Sequence, residues 1–139
     1  MVKEFEVLDH TADTGIIAYG ADIKKAFANA ARGMFSLITE LKDISENESR
    51  DIELDAPDME SLLVAWLNEL IFIFDVENIL FKSFEIVRLS DTHIEAKGYG
   101  EKVDLSRHKP KLGIKAATFH MLKIDKIGSN NRVQVIFDI

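Results

Sequence analysis

Within Asp9-His10-Thr11-Ala12-Asp13-Thr14-Gly15-Ile16, two carboxylates, an imidazole and a hydroxyl crowd into five positions between two apolar runs. Two kinds of chemistry suit them. Asp and Thr side chains bond nearby backbone amides and cap turns, which needs no ligand. Carboxylate oxygens also hold hard divalent cations when enough of them converge. The second use needs partners from elsewhere, and the last strand offers them in Phe137-Asp138-Ile139. If its tip ends beside the octapeptide, then Asp13, Asp138 and the α-carboxylate of Ile139 form a three-oxygen site for a cation of the Ca²⁺ or Mg²⁺ type, with Mn²⁺ a variant. If it does not, that tip is a solvated terminus.

A second stretch, residues 102–115, carries Lys102, Arg107, Lys109, Lys111 and Lys115 against one acid, Asp104, in a chain of net charge −7. A charge run is commonly a solvated loop. Arg and Lys are also the side chains that hold phosphates or a partner's acidic surface. The four histidines, His10, His93, His108 and His120, show no i, i+4 pair, and there is no cysteine, so the spacing gives no support to a zinc centre. Phosphate-binding loops, dinucleotide fingerprints and a serine nucleophile elbow are all missing. The overall negative charge opposes strong direct binding to nucleic acid.

These residues need a scaffold, and the sequence predicts one. Period-two alternation marks strands at 3–9 and 15–20. Asp22 is a candidate N-cap for a helix to about Leu41, with Ile23, Phe27, Ala30, Ala31, Met34 and Ile38 at helical spacing. SENES reads as a loop, RDIELDA as a strand, and Pro57-Asp58 as the start of a second helix carrying Leu62, Leu63, Trp66, Leu67, Leu70, Ile71 and Phe74. Further strands are expected at 79–89, 92–103 and 132–139, with Gly128 to Asn131 as a turn. Residues 112–124 fit a strand that would put Ile114, Ala116, Thr118, His120 and Leu122 on one face. Strands with two long helices and no strict βαβ alternation predict an α+β two-layer fold: a mixed, largely antiparallel sheet with both helices on one side.

At 139 residues the chain has the size of one domain with a self-sufficient core, expected over 1–139. Its longest apolar stretch is interrupted by Asn68, Glu69, Asp75 and Glu77, which predicts a buried helix and no membrane span. The charged N-terminus does not read as a signal peptide, so a cytoplasmic location is expected.

Taken together, DHTADTGI, then YGEKVDLSRH, then IKAATFHMLKI and the closing VIFDI resemble the archease family across the whole chain. The family commonly has an acidic residue where this chain has Gly113. The resemblance implies a non-catalytic accessory protein of the RtcB-type RNA ligase of tRNA splicing. Such a protein promotes guanylylation of the ligase's active-site histidine and its repeated turnover. The resemblance further implies a metal site at Asp13, Asp138 and Ile139, no organic cofactor, and a functional Lys115. His10, Asp104, Arg107 and His108 match motif positions implied in ligase activation. Two alternatives stay open: a chaperone or specificity factor for an RNA-modifying methyltransferase, and a metal-dependent phosphoesterase using Asp13 and Asp138 with His10 as general acid or base.

Overall fold

The computed structural model describes residues 3–10 and 13–139, and for Asp9, His10 and Asp13 the backbone alone. The elements run β1 (Phe5–His10), β2 (Asp13–Gly20), α1 (Ile23–Ile38), β3 (Glu48–Asp55), α2 (Met59–Glu77), β4 (Ile79–Leu89), β5 (His93–Lys102), β6 (Ala116–Ile127) and β7 (Asn130–Asp138). This is the expected α+β class. The strands divide between two sheets, β1-β2-β7-β6 and β3-β5-β4, and every pairing is antiparallel. Among the described residues, no helix is long and apolar enough to cross a membrane.

Both helices begin where their caps predict. The Asp22 carboxylate accepts from the Lys25 amide at 2.8 Å and the Asp58 carboxylate from the Ser61 amide at 2.7 Å. Each cap satisfies an amide that has no partner within the helix. The first helix stops at Ile38, short of Leu41, which instead opens a 3-10 turn over Leu41–Asp43. Asn78 closes α2 in the left-handed region, at φ 57, where a short polar side chain is tolerated.

Helix α1 packs against β2 and β7 of one sheet and β4 of the other, and α2 packs against β6 and against the three-stranded sheet. Trp66, Phe27, Phe35 and Phe81 are fully buried between them. Burying each such side chain stabilises the fold by about 1.5–3 kcal/mol. The Trp66 indole N–H donates to the Phe27 carbonyl at 3.1 Å, so the largest core side chain leaves no polar atom unpaired.

Three details position the candidate site. Gly15, inside the octapeptide, lies so close to β7 that a Cβ there would meet the Val135 carbonyl oxygen at 2.4 Å. Asn68 of α2 exchanges two hydrogen bonds with Ala117, accepting from its amide at 2.8 Å and donating to its carbonyl at 3.3 Å. One polar residue in an apolar helix thereby covers the open edge of β6. In β6 itself the predicted alternation fails. The ladder with β7 skips between Thr118 and Lys123, and the intervening residues arch outward with Met121 at φ 53. Thr118 Oγ1 donates to the Ile136 carbonyl at 2.8 Å where the arch begins, and Gln134 Nε2 donates to the Met121 carbonyl at 2.9 Å further along. Ile114 lies before the strand, and Ala117 is buried while His120 is exposed, so the five-residue face expected from period two is not formed. The reason is the extra length in one strand of the pair, which sequence alternation does not register.

Candidate functional site

Register decides whether the octapeptide and the last strand meet. β2 and β7 pair from Gly20↔Asn131 to Thr14↔Phe137. The next residue on each strand is Asp13 on one and Asp138 on the other, at the same end of the sheet. On the other side of β7, Asp138 pairs with Ala116, and the Lys115 amide donates to the Asp138 carbonyl at 2.8 Å. Thus the backbone brings Asp13, Asp138, Ile139 and Lys115 to one end of three adjacent strands. His10, paired with Asp13 across the β1–β2 hairpin, ends its strand there too. The side chains of His10 and Asp13 and all of Thr11 and Ala12 lie outside the described residues.

Asp138, Ile139 and Lys115 face solvent, and a concavity lined by Thr14, Thr118, His120, Ile136, Asp138 and Ile139 opens beside the β6 arch. Among the described residues, no hydrogen bond or ion pair engages the Asp138 carboxylate or the Lys115 ammonium. The donor set suits a hard cation: a free carboxylate on a strand tip, with room for further oxygen ligands and water. Sequence reasoning named neither Thr118 nor His120 as a site residue. Their signal was the Thr-x-His spacing in the strand that pairs with Asp138, hidden by the arch.

Asp104, Arg107 and His108 form a separate group, built into the fold. Strand alternation puts Glu101 on the outer face of β5, with His93, Glu95, Lys97 and Tyr99, yet Glu101 is only 4% exposed. The loop after β5 folds back over it. Arg107 forks onto the Glu101 carboxylate at 2.6 and 3.1 Å, and the Ser45 amide donates to it at 2.7 Å. His108, 2% exposed, accepts from the Asp104 amide through Nδ1 at 2.9 Å, so its ring proton sits on Nε2, pointing to Glu101 Oε2 at 2.9 Å and the Asp43 carbonyl at 3.0 Å. The Asp104 carboxylate accepts from the amide and hydroxyl of Ser106 at 3.0 and 2.6 Å, closing the turn. The Arg107 guanidinium, helped by Ser45 and His108, holds the Glu101 carboxyl down at about 2 against the opposing effect of burial. Asp104 is lowered too, chiefly by Ser106.

The basic run after His108 meets the end of α1. The amides of Lys111 and Leu112 donate to the Ile38 and Leu37 carbonyls at 2.9 and 3.1 Å, and the Lys111 ammonium reaches the Ser36 carbonyl at 2.7 Å. A helix C-terminus offers unpaired carbonyls and partial negative charge, which these groups satisfy. Arg107 and Lys111 thus have partners within the fold, while Lys109 and Lys115 are exposed. Among the described residues, no hydrogen bond or ion pair joins Asp104, Arg107 or His108 to Asp138 or Lys115.

The chain is similar to known proteins. Residues 5–139 match the model of the Archease protein family (MTH1598/TM1083). The chain is 41% identical to the protein archease of Methanosarcina barkeri, covering 99% of this chain and 97% of that protein. It is 39% identical to the protein archease of Pyrococcus abyssi, covering 91% of each. Among solved structures, the solution structure of Methanobacterium thermoautotrophicum protein 1598 matches at TM-score 0.82 and 38% identity, covering 99% of this chain and 100% of that one. The crystal structure of a Thermotoga maritima archease, described as a possible chaperone, shares the fold at TM-score 0.62 and 20% identity, covering 95% and 94%.

Proposed function

The chain belongs to the archease family, and from that premise we propose that it is a non-catalytic activator of an RtcB-type RNA ligase in tRNA splicing. It promotes guanylylation of the ligase's histidine and supports repeated turnover. The observation that supports this reading is the Asp138 carboxylate, unengaged among the described residues, one residue past the Thr14–Phe137 pair, with the backbone of Asp13 next after Thr14 on β2 and the Lys115 backbone on its other flank. Anionic and cationic groups without partners among the described residues at one sheet end are available to something outside the chain.

A divalent cation of the Ca²⁺, Mg²⁺ or Mn²⁺ type would be held by oxygens of Asp13, Asp138 and Ile139, and when bound it supplies positive charge for phosphate oxygens. The chain's own residues do the rest. Lys115 contributes a point charge that meets a phosphate or an acidic rim of the ligase. Gly15 lets β2 approach β7 closely enough to bring the two aspartates to one edge. In this reading Asp104, Arg107 and His108 serve activation by fixing the loop that leads into Lys115, and His10 borders the metal site.

The test is guanylylation of the cognate ligase, measured with GTP and divalent metal, with and without this protein. Faster or repeated guanylylation is expected. A ligase unaffected by the protein, or hydrolysis of a generic phosphate ester by the protein with metal alone, would contradict the reading.

A further inference from the structure

The three-stranded sheet carries another polar cluster, at the opposite face from its core and outside the proposed activation site. β3 and β5 pair with Glu53 opposite Glu95 and Asp55 opposite His93. Residues two apart along a strand share a face, so these four side chains stand together, while buried Ile52, Ile94 and Ala96 take the other face. Three observations point the same way. His93 Nδ1 is 2.7 Å from Asp55 Oδ1, the carboxylate contact that fixes a ligating imidazole's tautomer and leaves the other nitrogen for a metal. His93 Nε2 is 3.1 Å from Glu53 Oε2, close to the ~3.0–3.5 Å between neighbouring donors around an ion with ~2.0–2.2 Å bonds. Glu53 and Glu95 are two carboxylates directly opposite across the ladder, an arrangement that repels unless a cation lies between them.

Among the described residues no Lys or Arg fills that role; the cation there is protonated His93, whose pKa Asp55 and Glu53 hold above its ordinary value, so a metal at Nε2 would take the place of that proton. Lys97 reaches Asp51 at 3.6 Å, and Arg88, opposite Glu95 on β4, makes no ion pair with it among the described residues. One donor atom from each of Glu53, His93 and Glu95 lies within 4.8 Å of the others. We propose that Glu53, His93 and Glu95 bind a divalent transition cation of the Zn²⁺ kind, through His93 Nε2 and one oxygen of each glutamate, with Asp55 orienting the imidazole. The nitrogen donor favours such an ion over Ca²⁺ or Mg²⁺, which take oxygen ligands.

The experiment titrates Zn²⁺ into the full chain, following heat and the imidazole nitrogen resonances of His93, with Ca²⁺ in a parallel titration. Zn²⁺ is expected to move the His93 resonances in the wild type and equally in Asp138→Asn, while Ca²⁺ leaves them in place. His93→Gln removes this binding event, and Glu95→Gln weakens it. Asp55→Asn, which keeps the ligands and loses only the orienting charge, weakens it by about 10- to 100-fold. All four groups are on the solvent side, so the variants keep the wild-type melting profile. Zn²⁺ binding that leaves the His93 resonances unmoved, or that is unchanged in both Glu95→Gln and Asp55→Asn, would overturn the site.

Discussion

The Glu101–His108 cluster and the Asp138 strand tip are made of similar residue types, and in sequence both stand out as candidate chemistry. The fold treats them in opposite ways. At Glu101 every charge is answered: the carboxylate takes bonds from Arg107, Ser45 and His108, and it is buried beneath the loop that supplies two of them. At Asp138 the carboxylate is exposed and unclaimed among the described residues. The difference teaches where to look for each role. Groups with all partners inside the chain fix its shape, and groups whose partners are missing are open to a ligand or another protein.

Breaking the satisfied cluster should have the largest structural effect. Arg107→Ala leaves the Glu101 carboxylate buried with its strongest partner gone, and an uncompensated buried charge lowers stability. The Arg107 side chain is itself nearly half exposed, so solvent takes up part of the loss, and a clear drop in melting temperature is expected. A melting curve checks it. If Arg107→Ala melts with the wild type, the cluster is not a structural anchor.

The pH dependence sharpens the same contrast. The folded carboxyl of Glu101 is lowered from 4.5 to about 2. A lowered carboxyl stabilises the fold fully above its unfolded value, and that contribution is lost as pH falls. Wild type should therefore lose stability relative to Glu101→Gln as pH drops from about 4.5 towards 2, while above that window their difference is constant. Parallel unfolding curves across this range would show that the carboxylate has no such role.

Smaller effects are expected at the arch. Thr118→Val removes the hydroxyl that bonds the Ile136 carbonyl and should cost about 1 kcal/mol. Chemical denaturation measures it, and an unchanged midpoint would mean that the hydroxyl does not hold the arch. Smallest in stability is Lys115→Gln, an exposed side chain with no partner among the described residues, expected within about 0.5 kcal/mol of wild type. Its expected effect lies in activation, which should fall without a change in metal affinity. Full activation by the glutamine variant would remove Lys115 from the site.

Much of the scaffold was legible because local chemistry carried it. Asp22 and Asp58 announce their helices, and Ile52, Ile94 and Ala96 alternate with charged neighbours as half-buried strands should. Which strands shared a sheet was not legible, since pairing depends on contacts distant in sequence. Residues 119–122 read as regular alternation, and only the mismatch with β7 turns them into an arch. Strand alternation alone would leave Glu101 outward, and the loop that buries it belongs to tertiary structure. Convergence of the octapeptide with the chain's last strand was a conditional reading, and the β2–β7 register meets the condition for the backbone.

The most direct test of the account is Asp138→Asn, assayed for guanylylation of the cognate ligase beside a melting curve of the same protein. The account predicts loss of activation with a melting temperature within about 2 °C of wild type, because the side chain engages nothing among the described residues. Full activation by Asp138→Asn would contradict it, as would loss of activity that tracks a collapse of the fold.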